Sequence, residues 1–256
     1  MTALPVLALW RREVIRFLRQ RSRVTGALLQ PVVFWLLLGG GLQASFQPAG
    51  AGVSYVEYFY PGMIGLVLLF TAIFATISTV EDRRAGFLQG VLVAPVSRAA
   101  IVLGQALGST SLAVGQGMLC LILAPLLGIP LTLVGVLLSL LVMLLIGLGL
   151  TSLGLIIAWR MDSTQGFHAI MNLILMPIWL LSGALFPAAG APPPLNWLMA
   201  LNPLTYGMAA LRRSLYFGDA ALAGPVPGLA ISLLITLLFC AVSFYAAVYT
   251  ANRKSQ

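Results

Sequence analysis

Six stretches of this chain are apolar almost without interruption: about 24–43, 58–80, 102–125, 131–158, 168–187 and 229–250. Each runs to about 20 residues or more, enough for a helix to cross a hydrocarbon core. None alternates apolar and polar residues as a barrel strand would. The pattern predicts an all-α, polytopic membrane protein, a single domain over 1–256 with six transmembrane helices. Residues 1–23 are too charged to span. At helical period Leu7, Trp10, Val14, Ile15, Phe17 and Leu18 share one face, and Arg12, Glu13, Arg16, Arg19, Gln20 and Arg23 share the other. That is an amphipathic helix lying in the interface. A basic anchor that only sets topology fits the same residues. No small-residue cleavage site follows the first span, so the segment is expected to stay.

The stretch 188–228 is rich in proline and glycine, and its apolar pieces are too short to cross. It reads as a re-entrant or surface-lying helical pair, broken at Pro203, on the outer side. Irregular backbone survives at membrane depth only where protein or water covers it. An ordinary outer loop is the other reading.

Composition agrees with the pattern. Only 8% of residues are charged and 60% are hydrophobic, against roughly 25% charged in a soluble domain. The net charge of +8 does not point to nucleic acid, because basic residues beside spans are topology signals. Six arginines precede the first span; Arg83, Arg84, Arg98, Arg160, Arg253 and Lys254 fall on the same side of an even-numbered bundle. The other side receives Arg212 and Arg213. This asymmetry places both termini in the cytosol. Cys120 and Cys240 sit inside apolar runs and read as buried thiols, with no zinc or redox spacing.

The segment between spans two and three, "EDRRAGFLQGVLVAPVS", carries Glu81, Asp82, Arg83 and Arg84 in a row. Four charges at a bilayer centre would cost on the order of 10 kcal/mol, so they must leave the membrane. About twenty residues follow where a turn needs only a few. Phe87, Leu88, Val91 and Leu92 fall on one helical face, and Gly86 and Gly90 leave a bare strip where another backbone can approach. Pro95 ends the helix and Ser97 can cap the next. A short apolar helix facing the cytosol fits a partner protein with a groove; a helix lying flat on the lipid surface fits as well.

At these residues the chain resembles the ABC-2 type permeases, membrane subunits of bacterial ATP-driven exporters. "EDRRAGFLQGVLVAPVSRAAIVLGQALG" at 81–108 is similar to the family's segment after span two. "YVEYFYPGMIG" at 55–65 and "LNPLTYGMAALRRSLYFG" at 201–218 resemble two further family blocks. The resemblance implies that 84–93 is a coupling helix docking into a separate ATPase, with Gly86, Leu88, Leu92 and Pro95 matching the pattern and Phe87 and Gln89 departing from it. It implies that 1–23 is the connecting helix, that the complex holds two ATPase copies and a second permease, as a homodimer, and that spans two and five line the seam. Phe70, Thr71 and Phe74 on span two, and Asn172, Met176 and Trp179 on span five, are the substrate-path candidates. Their aromatic and thioether surface with sparse polar groups suits an amphiphilic cargo.

The chain has no G-x-x-x-x-G-K-[ST] phosphate cradle, and Lys254 is its only lysine. ATP and Mg are therefore expected on the partner, with no cofactor here. Span centres lack the carboxylates that mark ion-driven transport: Glu57 is at the outer edge of span two, Asp162 in a turn, Asp219 outside, and His168 at the inner end of span five. The leading expectation is the permease half of a bacterial or archaeal inner-membrane exporter of drugs, lipids or other amphiphiles. Export of lipid-linked polysaccharide and a non-transport assembly or maturation role are the alternatives. A lipid-head-group enzyme would need clustered acids or histidines. Only Glu81 and Asp82 cluster, beside two arginines that would neutralise them.

Overall fold

The computed structural model describes residues 3–42, 54–87, 90–91, 96–188 and 191–253. All regular structure among them is helical. The long elements are α1 (Ala3–Arg19), α2 (Arg21–Leu42), α3 (Tyr55–Arg84), α4 (Arg98–Leu123), α5 (Leu133–Ala158) and α6 (Thr164–Leu180). They are followed by α7 (Pro193–Leu201), α8 (Pro203–Leu215), a single turn α9 (Ala220–Ala223) and α10 (Leu229–Arg253).

α3 is the axis of the bundle. A capping box starts it: the Ser54 hydroxyl accepts from the Glu57 backbone N–H, and the Glu57 carboxylate accepts from Ser54 N–H at 3.0 Å. Its 30 residues extend about 45 Å, well beyond the apolar core, so both ends emerge. Between them nearly every side chain is buried against α2, α4, α5, α6 and α8. The helix runs to Arg84, four residues past the expected end of span two, so Glu81–Arg84 are its last turn and not a separate loop. α10 packs against α5 and α8, and α1 lies on α4.

Among the described residues five helices are long and apolar enough to cross a membrane: Arg21–Leu42, Tyr55–Arg84, Arg98–Leu127, Leu133–Ala158 and Leu229–Arg253. The fifth expected span, 168–187, takes a different form. α6 starts at Thr164, where Ser163 caps it, and stops at Leu180 after 17 residues, about 25 Å of helix. The chain then turns through Gly183, whose φ of 76° suits glycine. The turn is held from the side by α3. Tyr55 donates to the Leu185 carbonyl at 2.8 Å and Tyr58 to the Gly183 carbonyl at 3.1 Å. The Trp179 indole donates back to the Gly62 carbonyl at 3.1 Å. A Cβ on Gly62 would sit 2.6 Å from the Ala184 carbonyl oxygen, so only glycine admits this contact. Backbone that hydropathy alone extends into a span is thus a loop whose carbonyls are satisfied by tyrosines.

α7 and α8 meet at Asn202–Pro203. The Asn202 side chain accepts from Leu204 N–H at 3.0 Å, capping α8, and donates to the Ile178 carbonyl at 2.6 Å. α8 is buried against α3, α5 and α10, while α7 exposes Trp197, Leu198 and Leu201. Arg212, expected on the outer side within a re-entrant or surface-lying helical pair, is only 3% exposed, its guanidinium 3.9 Å over the Tyr58 ring.

Candidate functional site: a charged clamp at the end of α3

The last turn of α3 carries two acids, and three arginines from the first two helices close on them. Arg12 makes a two-pronged pair with Asp82, at 2.5 and 2.7 Å. Arg16 bridges both acids, at 2.5 Å to Asp82 and 2.6 Å to Glu81. Arg23 pairs with the other oxygen of Glu81. Asp82 is buried; Arg12 and Arg16 are partly exposed. Bidentate guanidinium–carboxylate geometry fixes orientation as well as distance. The cluster therefore ties α1 and the start of α2 to the end of α3 as one unit.

Helix packing puts α1 in place. Added Cβ atoms at Gly104 and Gly108 would lie 2.8 Å from the Leu9 Cβ and 2.7 Å from the Glu13 Cβ. The four-residue glycine spacing is thus the groove in α4 that receives α1. The Trp10 indole donates to Ser111 Oγ at 3.0 Å, closing the contact. The polar face of α1 turns inward to the acids of α3, and Leu4, Leu7, Ile15 and Leu18 are exposed.

Glu13 is the buried acid of this contact. Burial, its largest influence, pushes the carboxyl above the usual carboxylate range; hydrogen bonding to Ser78 and the nearby arginines oppose that, while Asp82 adds to it. Glu13 lies 2.7 Å from Ser78 Oγ, which is also 2.7 Å from the Ala75 carbonyl. The Ser78 hydroxyl donates to Glu13, and the other Glu13 oxygen lies 3.4 Å from the Arg12 guanidinium. Hydrogen bonding to Asp82, the largest influence, holds Arg12 more firmly charged.

Beyond Arg84 the chain turns at Ala85–Gly86, Gly86 adopting φ 73°. The helix expected over 84–93 is offset: Arg84 still belongs to α3, Gly86 supplies the turn, and helical backbone resumes at Phe87 and is seen again at Gly90 and Val91. Gly86 therefore serves the reversal and is not part of a bare helical strip. Phe87 is exposed on one side and covered on the other by Arg12, its guanidinium 3.9 Å from the ring centroid. Gly90 is exposed, and Val91 packs against the cluster of Ile101, Val102, Leu155, Trp159 and Ala247. Leu88, Gln89, Leu92 and Pro95 lie outside the described residues. Ser97 caps α4 as expected, accepting from Ala100 N–H at 3.3 Å.

Arg83 and Arg84 do not neutralise the adjacent acids. Arg83 donates to the Trp159 carbonyl at 2.5 Å and pairs with Asp162 at 2.6 Å, and Arg84 donates to the Asp162 carbonyl at 2.5 Å. They brace the α5–α6 turn against the same end of α3. Beside the clamp a depression of about 450 Å³ is lined by Arg12, Ile15, Arg16, Arg19 and Gln20. One face of the molecule thus gathers a basic hollow, an exposed phenylalanine and the ends of α1, α3 and α5.

The six substrate-path candidates divide. Phe70 stacks on Phe74 with centroids 6.2 Å apart, and Phe74 meets His168 edge-on at 5.8 Å. Thr71 is buried, donating to the Val67 carbonyl and meeting the Gln116 amide. Trp179 is fully buried and held by Gly62. Asn172 is exposed on α6 beside Leu173 and Ile174, and Met176 is half-buried. Phe70, Phe74 and His168 come together; Thr71 and Trp179 turn into the protomer. Arg12, Arg16, Arg23, Ser78 and Asp162 are the site residues that sequence reasoning passed over. Their one advance signal was the arginine spacing of three and four residues along α1.

These features define a helical, multi-pass membrane protein with a braced polar face at one end. The chain belongs to the ABC-2 type transporter family, which it matches over residues 5–216. It is 28% identical over 211 residues to the putative transport permease ycf38 of Cyanophora paradoxa, covering 81% of this chain and 72% of that protein. To the protein of the same name in Porphyra purpurea it is 29% identical over 209 residues, covering 80% and 72%. To nodulation protein J of Rhizobium leguminosarum bv. viciae it is 26% identical over 251 residues, covering 97% and 94%. The chain is accordingly a membrane transport permease, a transmembrane component and not itself a catalyst, and the family implies partnership with an ABC ATPase subunit.

Proposed function

We propose that this chain is the permease half of an ATP-driven exporter of hydrophobic or amphiphilic compounds, working as a dimer with two ATPase subunits on the cytosolic side. The observation that carries the proposal is the clamp. Asp82 and Glu81, held by Arg12, Arg16 and Arg23, join the first helix to the most buried helix of the bundle. A push on the segment after Arg84 or on α1 is thereby delivered to the axis of the bundle. The basic hollow suits an acidic side chain on the ATPase, and Phe87 with Leu88 and Leu92 suits an apolar cleft. Nucleotide can drive the spans between states only through differential affinity for them, so a stiff connection is required. The exposed side of α6, with the amides of Gln165 and Asn172 among apolar residues, supports an amphiphilic cargo. Both termini lie in the cytosol of a bacterial or archaeal cell in this reading.

The test is reconstitution with an ABC ATPase from the same genome in vesicles. The pair is expected to co-purify and to hydrolyse ATP faster when cargo is added. Leu88→Asp with Leu92→Asp should abolish that stimulation while the permease still inserts. Undiminished stimulation in this variant would refute the coupling assignment.

A further inference from the structure

The face of α1 turned away from the clamp has no protein cover. Leu4 and Leu18 are more than half exposed, as is Leu7. At the start of this face a groove of about 590 Å³ opens between α1 and α4, lined by Ala3, Leu4, Leu7, Trp10, Leu103 and Leu107. Its lining is almost wholly apolar, because the polar atom of Trp10 is turned into its bond with Ser111. Arg11 stands one turn beyond Leu7 and follows Trp10 in the chain. Arg11, Arg19 and Arg21 are exposed, and none makes an ion pair among the described residues. Arg12, Arg16 and Arg23 are by contrast all bound to acids.

We infer that this surface is a binding site for an anionic phospholipid, with an acyl chain in the α1–α4 groove and the phosphate at Arg11. Charge complementarity selects the occupant. An apolar slot in a membrane-side helix accepts any acyl chain, but the unpaired Arg11 one turn beyond it favours a head group with net negative charge. A zwitterionic head group would bring its own cation against Arg11. The lipid would then fill the open seam beside the contact of α1 with Gly104 and Gly108. The site involves no ATPase contact, and its test is independent of the exporter reading.

The full chain is placed in lipid discs doped with brominated phosphatidylglycerol or brominated phosphatidylcholine. Quenching of Trp10 is taken as the difference between wild type and Trp10→Phe. Phosphatidylglycerol is expected to quench at a markedly lower mole fraction than phosphatidylcholine. Arg11→Gln should raise the fraction of phosphatidylglycerol required by about fivefold, the weight of one interfacial arginine, and leave the phosphatidylcholine curve in place. Equal quenching by the two lipids would overturn the proposal, as would an Arg11→Gln curve identical to wild type. Absence of Trp10 quenching by either lipid would show that the groove holds no acyl chain.

Discussion

Removing either half of the Arg12–Asp82 pair leaves the other charge without its partner, and the structure sets the size of the effect. Breaking a buried pair costs about 3–5 kcal/mol, and an exposed pair is worth about 0–1 kcal/mol. Asp82 has 4% of its side-chain surface exposed and Arg12 31%, which places the pair between these limits. Asp82 also retains Arg16 when Arg12 is lost, whereas loss of Asp82 leaves Arg16 only Glu81 and Arg12 only the longer contact to Glu13 at 3.4 Å. Arg12→Gln is therefore expected to cost about 2 kcal/mol and Asp82→Asn about 3 kcal/mol. For a chain of this size each kcal/mol lowers the melting temperature by about 2–4 °C. The assay is thermal unfolding of the purified permease in detergent for the wild type, both single variants and the double variant. The double variant should lose at least about 1 kcal/mol less than the two singles together. The swap Arg12→Asp with Asp82→Arg should recover part of the loss. Additivity within about 0.5 kcal/mol would mean that the two side chains do not interact, and the rigid link from α1 to α3 would be refuted.

Two further outcomes follow from the same face of the molecule. Gly108→Ala drives a methyl group into Glu13 and should cost about 1–3 kcal/mol by overpacking, whereas Gly115→Ala, with nothing within 4 Å, should gain up to about 1 kcal/mol from helix propensity; melting curves that rank them otherwise would remove α1 from the α4 groove. Glu13, its carboxyl raised by burial, contributes stability that is present below the ordinary carboxylate range and lost as pH rises through the raised value. Glu13→Gln, which keeps a partner for Ser78, should match wild type in acid and melt higher near pH 8; a difference that does not change with pH would contradict the burial.

Much of this architecture can be read from residue order. Continuous apolar runs mark the bundle, and the charges of Glu81–Arg84 cannot stay in hydrocarbon. Ser97 ahead of Arg98 reads correctly as a cap. Those signals are local, within a turn or two of helix. The pairing of Asp82 with Arg12 joins residues 70 apart, and nothing in a helical period says which basic face the acids will meet. Proximity in the chain favours Arg83 and Arg84, yet those side chains reach Asp162 and the Trp159 carbonyl. The early end of α6 is equally hidden. Hydropathy continues through Leu185 and Phe186, and only the hydroxyls of Tyr55 and Tyr58, arriving from over a hundred residues away, make a non-helical exit tolerable.

That early exit has a physical consequence for the surrounding lipid. A helix of about 25 Å beside an α3 of about 45 Å cannot match a hydrocarbon slab of about 30 Å. The bilayer next to α6 must thin or admit water to meet Leu180.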